Sequence, residues 1–243
     1  MRAVILAAGV GSRLGRAEVG PKCLLEFDDR SLLERHIDIL EGLGVSHITI
    51  GVGFEAAKIE AAAATVSTSI RIDFVYNPDF REGNIVTLWH TQAALLDEPS
   101  VLLMDADVLY HPSIMARLLN SSHANCMLLD RQFEAGDEPV KICIDNGRIV
   151  EFRKQPDAGI SYEYQGESVG FFKLDALGAQ ALVARTEHYM ASGRRETPYE
   201  DALRDLVLAN QIPFGFEDIT GTPWIEIDFP EDISRAQALL PNV

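Results

Sequence analysis

Ala3-Val-Ile-Leu-Ala-Ala-Gly-Val-Gly11 is an apolar run that ends in two glycines near the start of this 243-residue chain. A short, continuous apolar run predicts a strand that is buried on both faces, here Ala3–Ala8, and the glycines predict a tight loop after it. Apolar residues then recur at helical spacing over Ser31–Leu43, and a second apolar strand follows at His47–Val52. Strand, helix and strand in this order predict one βαβ unit.

The alternation of helix and strand continues through the first half of the chain. It predicts an α/β fold: a three-layer sandwich with a mostly parallel, doubly wound, Rossmann-like sheet between helices. From Cys126 onward the strands become shorter, so we expect an antiparallel extension of the same sheet with a lid. Further helices are predicted at 55–64, 85–95, 111–119, 176–191, 199–209 and 230–240, and further strands at 70–76, 100–104, 124–130, 140–145, 148–153, 168–173 and 214–218.

Length and composition limit the possible classes of protein. No linker interrupts the pattern, so we expect a single domain, residues 1–243, with two halves that meet near residue 122. The chain has 37 acidic and 21 basic residues and a net charge of -16, which opposes binding to nucleic acid or to an anionic membrane surface. The apolar N-terminal run is too short for a secretion signal or a membrane span, so we expect a cytoplasmic protein. The sequence leaves open whether the chain forms a homo-oligomer.

The loop after the first strand carries two cations, Arg13 and Lys22. Small residues let backbone N–H groups approach an anion closely, and the two cations would supply charge for phosphates. The glycine spacing fits neither the P-loop nor the dinucleotide fingerprint. The alternative is an ordinary tight turn between a strand and a helix.

Two aspartates, Asp105 and Asp107, stand at the end of a predicted central strand. With a period of two they point to the same side of an extended chain, and open α/β sheets place ligands at the carboxyl ends of their strands. Two carboxylates there suit Mg²⁺, which prefers oxygen ligands. The alternative is a solvated strand end.

Three segments together resemble a known family. Leu6-Ala-Ala-Gly-Val-Gly-Ser-Arg-Leu-Gly15, followed by Pro21-Lys22, resembles the signature of the MobA-like and sugar-phosphate nucleotidyltransferases. Asn77–Leu88 resembles a stretch beside the nucleotide in phosphocholine-type cytidylyltransferases, and Thr222–Asp232 resembles the segment whose aspartate completes the family's metal site. The resemblance implies nucleotide contacts from Leu6, Ala7, Ala8, Gly9, Gly11, Ser12, Arg13, Lys22, Asn84, Thr87 and Asp105, and metal contacts from Asp107 and Asp228. Asn84 is alternatively a helix N-cap.

Two later segments resemble elements that bind the second substrate, the acceptor. Glu151–Pro156 is similar to the element that supplies an acceptor-phosphate lysine, which implies that role for Lys154, and Glu167–Gly170 is similar to the acceptor-binding turn that follows. Gln155 departs from the family pattern and leaves Lys154 and Arg153 as alternatives for that lysine. Lys141 is a second cation with the same expected role, or an ordinary surface lysine.

The resemblance implies a reaction as well as a site. An acceptor phosphate oxygen attacks the α-phosphorus of CTP, or of another nucleoside triphosphate, and pyrophosphate leaves; the acceptor is a small phosphorylated alcohol or a phosphonate. Arg13, Lys22 and Asp107 are the expected catalytic residues, with Mg²⁺ as cofactor. A sugar-1-phosphate nucleotidyltransferase is the first alternative. A catalytically silent, nucleotide-binding regulatory subunit is the second, and the presence of the complete set of charged residues argues against it.

Overall fold

The computed structural model describes residues 1–14, 20–134 and 136–243; Gly15 of the glycine-rich loop lies outside the described residues. The strands are β1 (Arg2–Ala7), β2 (Glu26–Phe27), β3 (Arg30–Ser31), β4 (His47–Val52), β5 (Arg71–Tyr76), β6 (Ser100–Asp105), β7 (Val108–Tyr110), β8 (Asn125–Asp130), β9 (Lys141–Asp145), β10 (Arg148–Arg153), β11 (Tyr164–Asp175), β12 (Phe214–Asp218) and β13 (Trp224–Glu226). The α-helices are α1 (Leu32–Gly42), α2 (Ala56–Thr65), α3 (Asn84–Leu96), α4 (Pro112–Asn120), α5 (Ala176–Ala191), α6 (Tyr199–Ala209) and α7 (Pro230–Leu239).

Strand β1 lies inside the parallel part of the main sheet, whose order is β6-β1-β4-β5. On the other side of β6 the sheet continues through β11, β9 and β10, and these strands pair antiparallel. Strand β8 pairs with β11 and with β12. The parallel half and its antiparallel extension therefore form one continuous sheet, and the predicted fold class is confirmed.

Alternate residues of β1 face two separate helical layers. Ala3 and Ile5 pack with α1, α2 and α4, whereas Val4 packs with α3, α5 and α6 on the opposite face. Successive side chains of a strand point to opposite faces, so a central strand with helices on both sides must be apolar throughout. This packing gives the three layers that the continuous apolar run predicts.

Helix α1 begins where its sequence provides a cap. The Oγ of Ser31 accepts a hydrogen bond from the backbone N–H of Glu34 at 3.2 Å, and the Glu34 carboxylate accepts one from the Ser31 N–H at 2.6 Å. This reciprocal pair satisfies two amide donors that the first turn of a helix leaves without partners. None of the helices in the described parts of the chain has the length and apolar character needed to cross a lipid bilayer.

Strand β11 is twice as long as the predicted strand at 168–173. It pairs with β9 at its start and with β6 at its end, and its register against β8 shifts between Ser168 and Phe172. Gly170 lies inside this shift with φ +78°, a left-handed conformation that glycine adopts without strain. The irregularity lets one strand serve three neighbours, and it interrupts the alternation from which a strand is predicted.

Candidate active site

A cleft of about 420 Å³ lies at the carboxyl ends of β1 and β6. Parallel α/β sheets place ligands at this edge, beyond the carboxyl ends of their strands. Lys141, Glu167 and Arg153, the alternative to Lys154, are not among its lining residues. All the other residues selected from the sequence line it: Leu6, Ala7, Ala8, Gly9, Gly11, Ser12, Arg13, Lys22, Asn84, Thr87, Asp105, Asp107, Lys154, Gly170 and Asp228.

A short antiparallel ribbon brings Asp107 and Asp228 together across 121 residues of sequence. Strand β13 pairs with β7, with Glu226 opposite Val108, and the Ile227 N–H donates to the Asp107 carbonyl at 2.9 Å. The two aspartates therefore stand beside each other at the same end of the ribbon. The sequence does not predict these strands, because three residues each are too few to display a period.

Asp107, Glu226 and Asp228 each offer a carboxylate oxygen, and the three oxygens lie within 4.8 Å of one another. A compact set of oxygen ligands is the donor chemistry that hard divalent cations require. The same carboxylates also accept hydrogen bonds from a positively charged side chain, because the Lys22 ammonium donates to Asp107 at 2.8 Å and to Asp228 at 2.6 Å. The residues present therefore fit a metal ion.

Two cations of the glycine-rich loop bind this cluster. Arg13 pairs with Asp228 at 3.0 Å and with Glu138 at 2.7 Å, and its guanidinium lies over the Phe229 ring. Burial opposes the charged form of Lys22, but the carboxylates of Asp107 and Asp228 outweigh it and raise the pKa of Lys22. Lys22 therefore carries a positive charge at neutral pH where it lines the cleft.

Asp232 supports the backbone of the carboxylate cluster. Asp232 lies in the first turn of α7, and its carboxylate accepts hydrogen bonds from the backbone N–H groups of Asp228 and Phe229 at 3.0 and 2.8 Å. Asp232 is 6% exposed and does not line the cleft. It therefore holds the backbone that carries Asp228.

Asp105 lines the cleft and lies against Gly170 and Tyr199. The Tyr199 hydroxyl donates to the Asp105 carboxylate at 2.8 Å. A Cβ at position 170 would lie 2.2 Å from a carboxylate oxygen of Asp105, so only glycine leaves room for this side chain. Burial, followed by the nearby charges of Glu200 and Asp107, raises the pKa of Asp105 well above its ordinary value.

Sequence reasoning did not find Glu138 and Glu200, two carboxylates that line the cleft, or Tyr199, which is buried behind it against Asp105. Tyr199 and Glu200 open helix α6, where they look like an ordinary helix start, and Glu138 lies in a loop with no periodic pattern. Burial raises the pKa of Glu200, and burial and the charge of Asp107 do the same for Glu226. Burial of several like charges therefore disfavours their simultaneous ionisation.

The side chain of Asn84 bonds to the start of another helix, a contact that the sequence does not predict. It is the first residue of α3, yet its side-chain oxygen accepts from the Tyr199 N–H at 2.8 Å at the start of α6. In the same region the Gly83 N–H donates to the Arg195 carbonyl at 2.9 Å, and Arg195 pairs with Asp79 at 2.7 Å. Asn84 thus joins two walls of the cleft. Thr87 is buried in the same helix.

The four residues expected to bind an acceptor lie in two places. Lys154 and Gly170 line the cleft, and the Lys154 ammonium contacts Glu138 at 2.9 Å. The Lys141 ammonium donates to the carbonyls of Gly136 and Lys154 at 2.7 and 2.6 Å, and the residue is 8% exposed. Lys141 is therefore neither a surface lysine nor a cation of the cleft. Glu167 lies in a neighbouring pocket, where burial raises its pKa to about 7.

Comparison with known proteins gives relatives along almost the whole chain. It is 25% identical over 240 residues to the CMP-5'-(3-aminopropyl)phosphonate synthase of Streptomyces rubellomurinus, covering 97% of this chain and 38% of that protein. It is 27% identical over 242 residues to the bifunctional IPC transferase and DIPP synthase of Rubrobacter xylanophilus, covering 98% and 51% respectively. The chain therefore spans about half or less of the length of these relatives.

A solved structure and a family model agree with this result. The inositol-1-phosphate CTP transferase from T. maritima matches with a TM-score of 0.79 at 20% identity, over 99% of this chain and 95% of that one. A model of the MobA-like NTP transferase domain matches residues 3–162, which contain the glycine-rich loop, Asp105 and Asp107. As the motifs of the sequence predict, the chain belongs to the family of MobA-like NTP transferase domains.

Proposed function

We propose that this protein is a Mg²⁺-dependent nucleotidyltransferase that transfers CMP from CTP to a small alcohol phosphate or phosphonate and releases pyrophosphate. One observation carries the proposal: the cleft brings two cations, Arg13 and Lys22, into direct contact with a cluster of three carboxylates. Phosphoryl transfer asks for positioning and charge stabilisation more than for covalent chemistry, and these residues supply both.

The loop cations and the carboxylates have separate tasks in this reaction. Arg13 and Lys22 bind the β- and γ-phosphates and stabilise the charge that develops on pyrophosphate as its bond to the α-phosphorus breaks. Asp107 and Asp228 would hold Mg²⁺, with Glu226 beside them, and the ion would neutralise charge on the α-phosphate. The acceptor oxygen that forms the new bond is already ionised at neutral pH, so the mechanism needs no general base.

The acceptor lies on the other side of the α-phosphate. Lys154 is the cleft's cation on that side, and it is 43% exposed, so its ammonium can leave Glu138 and bind an acceptor phosphate. Lys141 cannot share this task without losing its hydrogen bonds to backbone carbonyls. This assignment favours Lys154 as the phosphate-binding lysine and gives Lys141 a structural role in the loop before β9.

The preference for CTP has two supports. The Streptomyces relative is named for a CMP-phosphonate product and the T. maritima structure for CTP. Backbone groups near Ala7 and Gly9 line the cleft and would match the donor and acceptor pattern of cytosine. Uracil reverses part of that pattern and would leave buried groups unpaired, at about 1 to 3 kcal/mol for each.

Pyrophosphate release tests the proposal directly. Each of four nucleoside triphosphates is combined with phosphocholine, inositol-1-phosphate, aminoalkyl phosphonates and sugar-1-phosphates, with and without Mg²⁺. We expect activity only with the metal, and a kcat/KM for CTP at least about tenfold above that for UTP. Equal or better use of UTP, dTTP or GTP would overturn the cytidylyl assignment. No turnover with any pair would favour the silent regulatory subunit.

A further inference from the structure

Lys22 binds the same two carboxylates that would bind a metal ion. Its ammonium lies 2.8 Å from an oxygen of Asp107 and 2.6 Å from an oxygen of Asp228, and its side chain is 13% exposed. An ammonium at these distances occupies the space between the two carboxylates. A divalent cation bound to the same oxygens would lie close enough to Lys22 for strong repulsion in a partly buried site.

The path of the lysine stem is fixed by its neighbours. Lys22 begins a short 3₁₀ turn whose next residue, Cys23, is buried at 2% exposure. Its stem passes Gly11, where an added Cβ would lie 3.1 Å from the Lys22 Cγ and 3.6 Å from Cε. The backbone therefore directs the ammonium to the carboxylates, and only rotation of the terminal bonds can carry it elsewhere in the cleft.

The balance of charge depends on where the ammonium lies. With Lys22 and Arg13 in place, three carboxylates face two side-chain cations, and a divalent ion finds little uncompensated charge. When the ammonium moves to a bound triphosphate, the carboxylates regain both a vacant position and a negative charge. Metal affinity should therefore rise when Lys22 leaves.

We propose that the Lys22 ammonium and the divalent cation are alternative occupants of the Asp107–Asp228 pair, so that Lys22 keeps the metal-free cluster closed and a triphosphate opens it. Only the identity of the opening ligand rests on the proposed function. The competition itself is a property of three side chains that lie in contact in the structure. Nucleotide binding then strengthens metal binding, and by linkage metal binding strengthens nucleotide binding by the same factor.

Direct binding of Mn²⁺ without nucleotide tests the competition. The free ion is measured by electron paramagnetic resonance for the wild type and for Lys22→Met, whose stem has a similar length but no charge. We expect Lys22→Met to bind Mn²⁺ at least about tenfold more tightly, equivalent to about 1.4 kcal/mol. Lys154→Met removes a charge from the same cleft without touching Asp107 or Asp228, so its affinity should stay within about threefold of wild type. Equal affinity in wild type and Lys22→Met would overturn the proposal.

A second measurement uses the wild type alone and does not require Lys22→Met to fold. Lysine acetylation by a limiting reagent, read by mass spectrometry, reports whether the ammonium is held. Saturating Mn²⁺ should increase the modification of Lys22 by about fivefold or more and leave that of Lys58 unchanged. No change at Lys22 would refute the displacement. Neither measurement contains a nucleotide, so a protein without transferase activity could still pass both, and an active enzyme could fail them.

Discussion

Replacement of Asp107 by asparagine separates the chemistry of the cluster from the stability of the fold. The Asp107 side chain is 20% exposed and bonds to Lys22, which keeps a second partner in Asp228. The link to the ribbon is made by the Asp107 backbone carbonyl, which the substitution leaves intact. Asparagine has the same shape, so no cavity forms, and the free energy of unfolding should change by about 1 kcal/mol or less.

The effect on turnover should be much larger. Loss of a charged group that stabilises a transition state typically costs about 3 kcal/mol or more, which is roughly a hundredfold in rate. The assay is CTP-dependent pyrophosphate release at saturating Mg²⁺, together with urea unfolding of the same preparation. Asp73→Asn is the matched control, since Asp73 lies on β5, pairs with His47 on β4 and does not line the cleft. An Asp107→Asn rate above half of the wild-type rate would refute the metal assignment.

Three further predictions concern other charged groups. Lys154→Ala should chiefly raise the KM for the acceptor, and Lys22→Ala should chiefly weaken use of the triphosphate. Each loss should correspond to about 1.5 to 3 kcal/mol of binding free energy. If both variants lost affinity for the same substrate, the division of the cleft into a nucleotide side and an acceptor side would be wrong. The raised pKa of Glu167, about 7 against an ordinary 4.5, means that the folded state disfavours its charge. The free energy of unfolding of the wild type should therefore fall as the pH rises from about 4.5 to about 7. In urea unfolding, Glu167→Gln should be more stable than the wild type by about 1 to 2 kcal/mol at pH 8, and this difference should shrink toward pH 5. Arg204→Ala removes the ion-pair partner of Glu151, which is 0% exposed, and should lower the free energy of unfolding by about 3 kcal/mol in the same assay. The double variant Arg204→Ala/Glu151→Gln should lose less, because it leaves no unpaired buried charge.

The parts of the fold that follow from the sequence are those with a long, regular period. Helices α5 and α6 and strand β4 have the predicted bounds, because each buries one repeating face or a continuous apolar run. Strands β2, β3, β7 and β13 have two or three residues each and were not predicted. Their position depends on pairing with distant partners, and such pairing leaves no local pattern.

The residues of the candidate site also fall into two groups: those that short sequence motifs predict and those that only tertiary packing brings in. Residues that belong to short motifs, such as Lys22 and Asp107, are brought together in the cleft. Lys141 has the same chemistry as Lys154, but loop carbonyls accept hydrogen bonds from its ammonium, and the residues around Lys141 in sequence do not predict these contacts. Tyr199 reaches Asp105 only because α6 begins beside that carboxylate, which is a consequence of tertiary packing.

The pairing of β7 with β13 has a consequence for how the protein folds. Contacts between segments so far apart in sequence carry a large loop-closure cost and tend to form late. The βαβ core around β1 can assemble from its own local contacts, and Asp107 is then present without Asp228. We therefore expect early folding intermediates to form most of the main sheet before Asp107 and Asp228 come together. The same should hold for nascent chains from which β13 has not yet emerged. Pulse-labelling hydrogen exchange should show protection of the Ile227 amide after protection of the amides in β1 and β4.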